Sequence, residues 1–221
     1  MSGKPTLAII GGTGALGGGL ATRWAAAGYA IIIGSRSVDK AVAAAQALAP
    51  KARGATPRGS SNAEAAGAGD IVILAVPWPS HAAILDEIEP HIAGKLVVDA
   101  TVPLLPPKVA LVQLPAEASA AVAAQRRLGE EARVVAAFHN IAAAKLLAAA
   151  PIDCDVLVFG DAAADRGAVI ELAEAAGLRG VHAGPLANAV AAEALTSVLI
   201  GINRTYKVAG AGIRITGLGK D

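Results

Sequence analysis

The chain has few of the residues that form covalent cross-links or hold metal ions. Its 221 residues include one cysteine, Cys154, and four histidines, and only 3% of them are aromatic. A single cysteine cannot form an internal disulfide, which is typical of a protein in the reducing cytoplasm, and we predict a cytoplasmic location. The histidines, the cysteine and the acidic residues are not spaced as metal ligands, and no GxSxG nucleophile motif occurs. We therefore expect no bound metal.

The net charge is small, and long apolar runs are scarce as well. The formal net charge is +1 at pH 7, and there is no basic stripe with interleaved aromatic residues, which argues against a nucleic-acid partner. The first apolar segment follows Met1–Pro5 directly, so we predict no signal peptide. No apolar run comes close to the ~20 residues that span a bilayer, and we expect no membrane partner. The expected partner is a small molecule.

Aliphatic residues are abundant, and 54% of the chain is hydrophobic. Short apolar runs alternate with helical patterns, which predicts an α/β fold with a Rossmann-type, doubly wound, mainly parallel sheet. We expect a helix capped by Ser80, a proline-rich loop over Thr101–Pro115 and a long helix over Leu186–Lys207. A domain boundary is predicted after Phe138. Residues 1–138 would then carry the sheet, and residues 139–221 would form a smaller α/β cap that ends in the long helix.

A glycine-rich turn follows the first apolar run, Thr6–Ile10. Its residues are Gly12, Thr13, Gly14, Ala15, Leu16 and Gly17. The first two glycines of such a turn let the backbone approach a pyrophosphate, and the third lets the following helix pack closely on the strand. The N–H groups at the start of that helix then face the anion. Because a strand precedes the turn and a helix follows it, we predict a dinucleotide site here.

The end of the second apolar run indicates which dinucleotide is bound. NAD sites carry an acidic residue at this position, which accepts hydrogen bonds from the adenosine ribose. This chain has Ser35 and Arg36, with Lys40 one helical turn further on. A guanidinium and an ammonium bind the 2′-phosphate that a carboxylate would repel. We therefore predict that residues 1–138 form an NADP(H)-binding domain, with the cap closing a second-ligand cleft.

Further candidate residues follow later strands at the same edge of the sheet. They are Val76, Pro77, Trp78, Ala137 and His139. Trp78 either forms a wall of the nicotinamide pocket or caps the core, and His139 either contacts a ligand or is structural. His81 and His91 are expected to lie on or beside a surface helix with no special role.

No acid–base constellation accompanies these residues. Reduction of a carbonyl generally requires a proton donor beside the hydride acceptor. Hydride transfer between two rings needs mainly their face-to-face alignment, with reacting atoms roughly 3–3.5 Å apart. The sequence therefore favours hydride transfer between two ring cofactors, with no obligatory catalytic side chain.

Several motifs occur in the order found in a known family. They are Gly11–Leu20, Gly34–Arg36, Pro77–Trp78, His139–Ile141, Ala183–Asn188 and Glu193–Thr196. In this order they resemble the NADPH:coenzyme F420 oxidoreductases, in which hydride passes between NADP and an 8-hydroxy-5-deazaflavin. The resemblance covers most of the chain. It implies an NADP-dependent oxidoreductase whose second substrate is coenzyme F420.

The resemblance also implies residue roles. Along the pyrophosphate it places Thr13, Ala15 and Leu16, and on the 2′-phosphate it places Ser35, Arg36 and Lys40. For the deazaflavin pocket it implies His139, Ile141, Asn188, Leu195 and Thr196. For Leu195, the buried face of a long helix is the simpler explanation.

Other features leave two alternatives for the function and predict an assembly. The proline-rich segment departs from archaeal members, and the alanine- and arginine-rich composition resembles bacterial ones. A reduced pterin, or another heteroaromatic or imine compound, is therefore the alternative acceptor, with His139 as the candidate proton donor. A module that senses NADP(H) without catalysis is a further alternative. The apolar stretch Ala189–Ile202 predicts a homodimer.

Overall fold

The computed structural model describes residues 3–148 and 151–218. Six strands form one parallel sheet with the order β3-β2-β1-β4-β5-β6. The strands are β1 (Leu7–Ile10), β2 (Ile31–Gly34), β3 (Arg58–Ser60), β4 (Ile71–Leu74), β5 (Leu96–Asp99) and β6 (Arg133–Ala136). Every residue of β1, β2, β4 and β5 is buried, as expected of a parallel sheet with helices on both faces.

The helices of this part alternate with the strands. They are α1 (Ala15–Ala26), α2 (Val38–Leu48), α3 (Asn62–Ala68), α4 (Trp78–Ile88), α5 (Ala120–Leu128) and α6 (Ala143–Leu147). The chain builds outward from β1 to β3 and then returns to start again at β4 on the other side of β1. In doubly wound sheets this reversal opens a crevice beyond the carboxyl ends of the central strands, where ligands bind.

The C-terminal part adds a small second sheet and the long helix. A parallel pair, β7 (Asp155–Val158) and β8 (Arg179–His182), flanks α7 (Ala163–Ala175), and α8 follows over Ala189–Tyr206. One antiparallel bridge between Ala136 and Phe159 connects this part to β6. The predicted Rossmann-type fold with a C-terminal long helix is confirmed.

One hydrophobic core runs from the six-stranded sheet into the C-terminal part. The Trp24 ring meets Phe138 edge-on at 5.7 Å between centroids. Its Nε1–H donates to the carbonyl oxygen of Leu172 in α7 at 2.7 Å. Val156 and Val169 belong to the same cluster of buried residues. The boundary after Phe138 stays a prediction, and it passes through this shared core.

One helix start differs from the prediction. Helix α4 begins at Trp78, with Pro77 as its N-cap, so Ser80 lies inside the first turn and is not the cap. The ring of Pro77 holds φ at −63°, and Pro79 occupies a first-turn position where the missing N–H costs no helical hydrogen bond. The predicted loop over Thr101–Pro115 contains neither helix nor strand.

The long C-terminal helix corrects a second expectation. Leu186–Tyr206 is long and apolar enough to cross a membrane by length and composition, with a mean hydropathy of 1.4. The prediction that no apolar run approaches the length that spans a bilayer is therefore wrong by length and hydropathy. Core helices pass the same test but are mostly buried, whereas only 33% of this segment's most apolar window is buried inside the fold. Glu193 belongs to this helix, and its buried carboxylate accepts hydrogen bonds from the start of α5.

Candidate functional site

The glycine-rich turn joins β1 to α1, and two of its glycines stand where no side chain would fit. A Cβ on Gly12 would lie 2.9 Å from Cδ1 of Ile33, and one on Gly17 would lie 2.7 Å from the carbonyl oxygen of Gly11. A Cβ on Gly19 would lie 2.8 Å from Cβ of Leu146, so α1 also packs tightly on α6. The N-cap Gly14 supplies no side-chain cap to the first turn. The turn therefore brings bare backbone and a helix N-terminus to the crevice, as a pyrophosphate requires.

A cleft of about 240 Å³ opens from this turn across the edge of the sheet. Its lining residues are Gly11, Thr13, Gly14, Ser35, Arg36, Asn62, Ala75, Val76, Pro77, Ser80 and Ile84. The cleft thus brings together six of the predicted cofactor residues from the ends of β1, β2 and β4. Gly12 and Ala15 line a neighbouring groove between α1 and α2, while Leu16 packs on the core and Gly17 is buried.

The cationic end of the cleft is formed by the β2–α2 connection. The Ser37 side chain caps α2 by accepting from the Lys40 N–H, and the Ser35 hydroxyl oxygen accepts from the Ser37 N–H at 3.2 Å. Arg36 is exposed and lines the cleft, whereas Lys40 is exposed but does not line it. The local hydrogen bonds hold the backbone of this turn and leave the guanidinium free to face an anion.

The remaining predicted cofactor residues differ in position. Trp78 is half-buried at the start of α4, where its ring lies 5.3 Å from that of His81. Ala137 is fully buried, and its N–H donates to the carbonyl oxygen of Asp99. Ala137 therefore belongs to the core, and neither Ala137 nor Trp78 lines the cleft.

A second cavity of about 130 Å³ lies between the end of β6 and α8. Its lining residues are His139, Asn140, Ile141, Ala142, Thr196, Leu199, Ile200, Asn203 and Ala211. The Thr196 hydroxyl donates to the carbonyl oxygen of His139 at 2.9 Å and so connects the two walls. Asn188 is exposed in the turn before α8, and Leu195 is half-buried on the helix. Neither of these two lines the cavity.

His139 is held in its neutral form. Only 5% of the residue is exposed, and neither ring nitrogen has a hydrogen-bond partner among residues 3–148 and 151–218. Burial lowers the pKa of His139 from 6.5 to about 4, although the nearby Asp99 opposes the shift. Near neutral pH, this imidazole therefore carries no positive charge.

His81 is not the surface residue that the sequence predicted. Its side chain points inward from α4, and Nε2 lies 2.7 Å from Oδ2 of Asp99 at the end of β5, with both residues buried. Burial raises the pKa of Asp99, but His81 and the hydrogen bond from the Thr101 N–H outweigh it and hold that pKa below its usual range. Asp99 is the last residue of β5, and His81 lies in α4, the helix that follows the neighbouring strand β4, so the strand order is the signal that could have paired them.

Glu193 connects the long helix to α5. Its Oε1 accepts from the Ser119 hydroxyl at 2.7 Å and from the Ala121 N–H at 3.1 Å, and its Oε2 accepts from the Ala120 N–H at 2.7 Å. Burial raises the pKa of Glu193 above its usual range. The carboxylate thus caps the α5 N-terminus and holds α8 beside the end of the sheet.

The glycine-rich turn, the cationic rim and a second cavity at the same sheet edge define a Rossmann-type, dinucleotide-dependent oxidoreductase. Residues 6–103 match the family described as NADP oxidoreductase coenzyme F420-dependent. The chain is 42% identical to the F420-dependent NADP reductase of Methanothermobacter marburgensis, over 96% of this chain and 98% of that protein. It therefore belongs to the F420-dependent NADP reductase family.

Two further proteins place the chain in the same group. The F420-dependent NADP reductase of Methanocaldococcus jannaschii is 40% identical over 96% of this chain and 98% of that protein. A solved structure from Arthrobacter sp. FB24, provisionally assigned as an F420-dependent NADP reductase, superposes with a TM-score of 0.80 at 25% identity. The superposition covers 96% of this chain and 100% of that one.

Proposed function

We propose that this enzyme transfers a hydride between NADP(H) and the deazaflavin coenzyme F420. The observation that carries the proposal is the pair of cavities at one edge of the sheet. One has a glycine turn and an exposed guanidinium, and the other is lined by uncharged side chains, including the buried His139. NADPH supplies the hydride at its nicotinamide ring, and the deazaflavin ring accepts it.

The first cleft fits an NADP dinucleotide. The Gly11–Gly14 backbone and the start of α1 would hold the pyrophosphate. A Cβ on Gly11 would collide with the carbonyl oxygen of Ala75, and one on Gly12 would collide with Ile33, so these two positions need glycine. Ser35 and Arg36 would hold the 2′-phosphate, with Lys40 adding a positive charge nearby. Val76 and Pro77 would orient the rest of the dinucleotide along the end of β4.

The second cavity would hold the acceptor ring against this cofactor. His139 and Ile141 would form one wall and Thr196 the other, with the Thr196–His139 hydrogen bond fixing their separation. Because the pKa of His139 is about 4, the imidazolium needed for general-acid catalysis is nearly absent at neutral pH. The residues of this cavity would therefore act by binding the acceptor ring and aligning it with the nicotinamide, which is what a two-ring hydride transfer requires.

The enzyme is proposed to act as a cytoplasmic homodimer through one face of α8. Val198, Ile202 and Tyr206 are 48%, 37% and 73% exposed on this helix. The loop residues Val112 and Leu114, which are also exposed, line a crevice with this helix and so extend the apolar surface. Light scattering at micromolar concentration should give twice the chain mass for the wild type and one chain mass for Val198→Glu. A monomeric wild type would contradict this assembly.

The activity is tested with NADPH and a set of ring acceptors. Purified enzyme should oxidise NADPH fastest with coenzyme F420, and more slowly or not at all with a flavin or a quinonoid dihydropterin. Thr196→Val removes the hydroxyl that positions His139 and should slow F420 reduction, while Thr205→Val, at an exposed threonine of the same helix, should not. Faster reduction of the pterin than of F420 would refute the proposed acceptor.

A further inference from the structure

The adenosine end of the first cleft contains a hydrogen-bond acceptor that carries no charge. An acid at the end of β2 normally accepts from the ribose hydroxyls, but Ser35 and Arg36 stand there. A 2′-phosphate removes one hydroxyl and leaves the 3′-hydroxyl as a donor. That donor still needs an acceptor, and a carboxylate in this place would repel the phosphate.

Asn62 supplies an oxygen atom in this region. It is the first residue of α3, only 1% exposed, and lines the cleft together with Ser35 and Arg36. Helix α3 is fixed at this end by a reciprocal capping box, in which Ser61 and Glu64 each accept from the other's backbone N–H. The position of the Asn62 side chain is therefore set by the helix and not by the ligand.

Glu87 determines which way the Asn62 amide faces. The Asn62 Nδ2 lies 3.0 Å from Oε2 of Glu87 on α4. A carboxylate oxygen can only accept, so the NH2 group must face Glu87 and Oδ1 must face the other way. Oδ1 lies 3.3 Å from the point where a Cβ on Gly34 would stand, so it approaches the last residue of β2 closely.

We propose that Asn62 is a specificity-determining residue whose Oδ1 accepts a hydrogen bond from the 3′-hydroxyl of the adenosine ribose. It replaces the acid of NAD sites with a neutral acceptor that tolerates the 2′-phosphate beside Arg36. Glu87 acts through Asn62 as a positioning residue. This inference rests on the proposed NADP site. It adds to that site a residue that binds the ribose hydroxyl and not the phosphate.

The first test compares dissociation constants of NADPH and NADH, measured by calorimetry without any acceptor. Both dinucleotides carry the 3′-hydroxyl, so Asn62→Ala should weaken both by the same factor, about tenfold. Ala68→Ser, at an exposed position of the same helix outside the cleft lining, is the matched control, with less than about a twofold change in either constant. A loss confined to NADPH, or an equal loss in Ala68→Ser, would overturn the assignment.

The second test restores the acid. Asn62→Asp keeps an acceptor but adds a negative charge near the 2′-phosphate. The dissociation constant of NADPH should therefore rise by more than about tenfold, while that of NADH should change by less than about twofold. Because the new carboxylate would face Glu87, the double variant Asn62→Asp with Glu87→Gln is measured as well. It should show the same shift in preference towards NADH. Unchanged preference in a double variant that melts like the wild type would refute the proposal.

The third test decides whether Asn62 binds the ribose hydroxyl or the adenine amino group, and it also examines the role of Glu87. Deamino-NADPH lacks the adenine amino group, and Asn62→Ala should weaken its binding by the same factor as that of NADPH. If that loss disappears with deamino-NADPH, the Asn62 partner is the adenine amine and the hydroxyl assignment is wrong.

Glu87→Leu should weaken the binding of NADPH and of NADH by the same factor, and Glu87→Gln should bind both dinucleotides like the wild type. If the wild type binds no NADPH at all, the proposed function fails first, and the two failures are thus distinguishable.

Discussion

The two cavities differ in the groups that they present to a ligand. The first cleft offers bare backbone and an exposed guanidinium, which suit a charged dinucleotide. The second cavity has no charged side chain in its lining, which consists of aliphatic side chains, two asparagines, a threonine and His139, which burial keeps neutral. We propose that the first cleft selects its ligand by charge and the second by shape. Substitutions that add volume should therefore damage the second cavity most, and substitutions that reverse charge should damage the first.

Filling the second cavity should give the largest effect. Ala142→Trp places an indole in a space of about 130 Å³ without removing any functional group. We expect hydride transfer to F420 to fall by more than the ~10²-fold that misplacement alone causes. The dissociation constant of NADPH should stay within about twofold. The control is Ala83→Trp, at an exposed position of α4, which should transfer hydride like the wild type. Normal activity in Ala142→Trp would mean that the acceptor binds elsewhere.

The neutral state of His139 should be visible in acid stability. A histidine whose pKa falls from 6.5 to about 4 on folding binds its proton more readily in the unfolded chain. Acidification from pH 6.5 to 4 should therefore destabilise the fold, by about 3 kcal/mol from this residue, with no contribution above pH 7. His139→Leu should remove that part of the loss in urea unfolding measured across this range. An unchanged acid sensitivity would show that His139 keeps its proton when folded.

Charge reversal in the first cleft should have a smaller but selective effect. Arg36→Glu should weaken NADPH binding by more than about tenfold, or 1.4 kcal/mol, because a carboxylate replaces the phosphate partner. NADH binding should change little. Arg126→Glu, at an exposed arginine of α5 that lines neither the cleft nor the neighbouring groove, serves as the control for net charge. If wild-type enzyme binds both dinucleotides equally well, the NADP assignment is wrong.

The smallest effect is expected at Glu193, which connects α8 to the start of α5. Glu193→Gln keeps the shape of the side chain but weakens its bonds to the α5 N-terminus, and we expect a loss of about 1 kcal/mol in the free energy of unfolding. Because Glu193 does not line the NADP cleft, the NADPH dissociation constant should not change. A loss of NADPH affinity without a loss of stability would contradict this role.

What the sequence predicts well is local. The turn Gly12–Gly17 and the signal at Ser35 and Arg36 lie beside the strands that position them, so spacing alone places them at one edge of the sheet. The pairs that the sequence does not predict are distant along the chain. Asn62 and Glu87 are 25 residues apart, and Ser119 and Glu193 are 74 apart. Such pairs depend on which face of each helix turns inward.

Helix α4 illustrates how such an error arises. The expected cap, Ser80, is three residues late, because Pro77 and not a serine forms the cap. The side chain of His81 was expected at the surface, whereas it packs against Asp99. The apolar composition of α8 is equally ambiguous, because a core helix, a dimer face and a membrane span share it.

The central claim is that hydride passes directly between two rings that this fold aligns. NADPH carrying two deuterium atoms at nicotinamide C4 should be mixed with F420 and excess enzyme for one turnover in ordinary water. The account predicts that nearly one deuterium per turnover appears in the reduced deazaflavin, at a rate that varies little between pH 6 and 8. Reduced F420 with hydrogen from water in place of the label, or NADPH oxidation without reduction of F420, would contradict it.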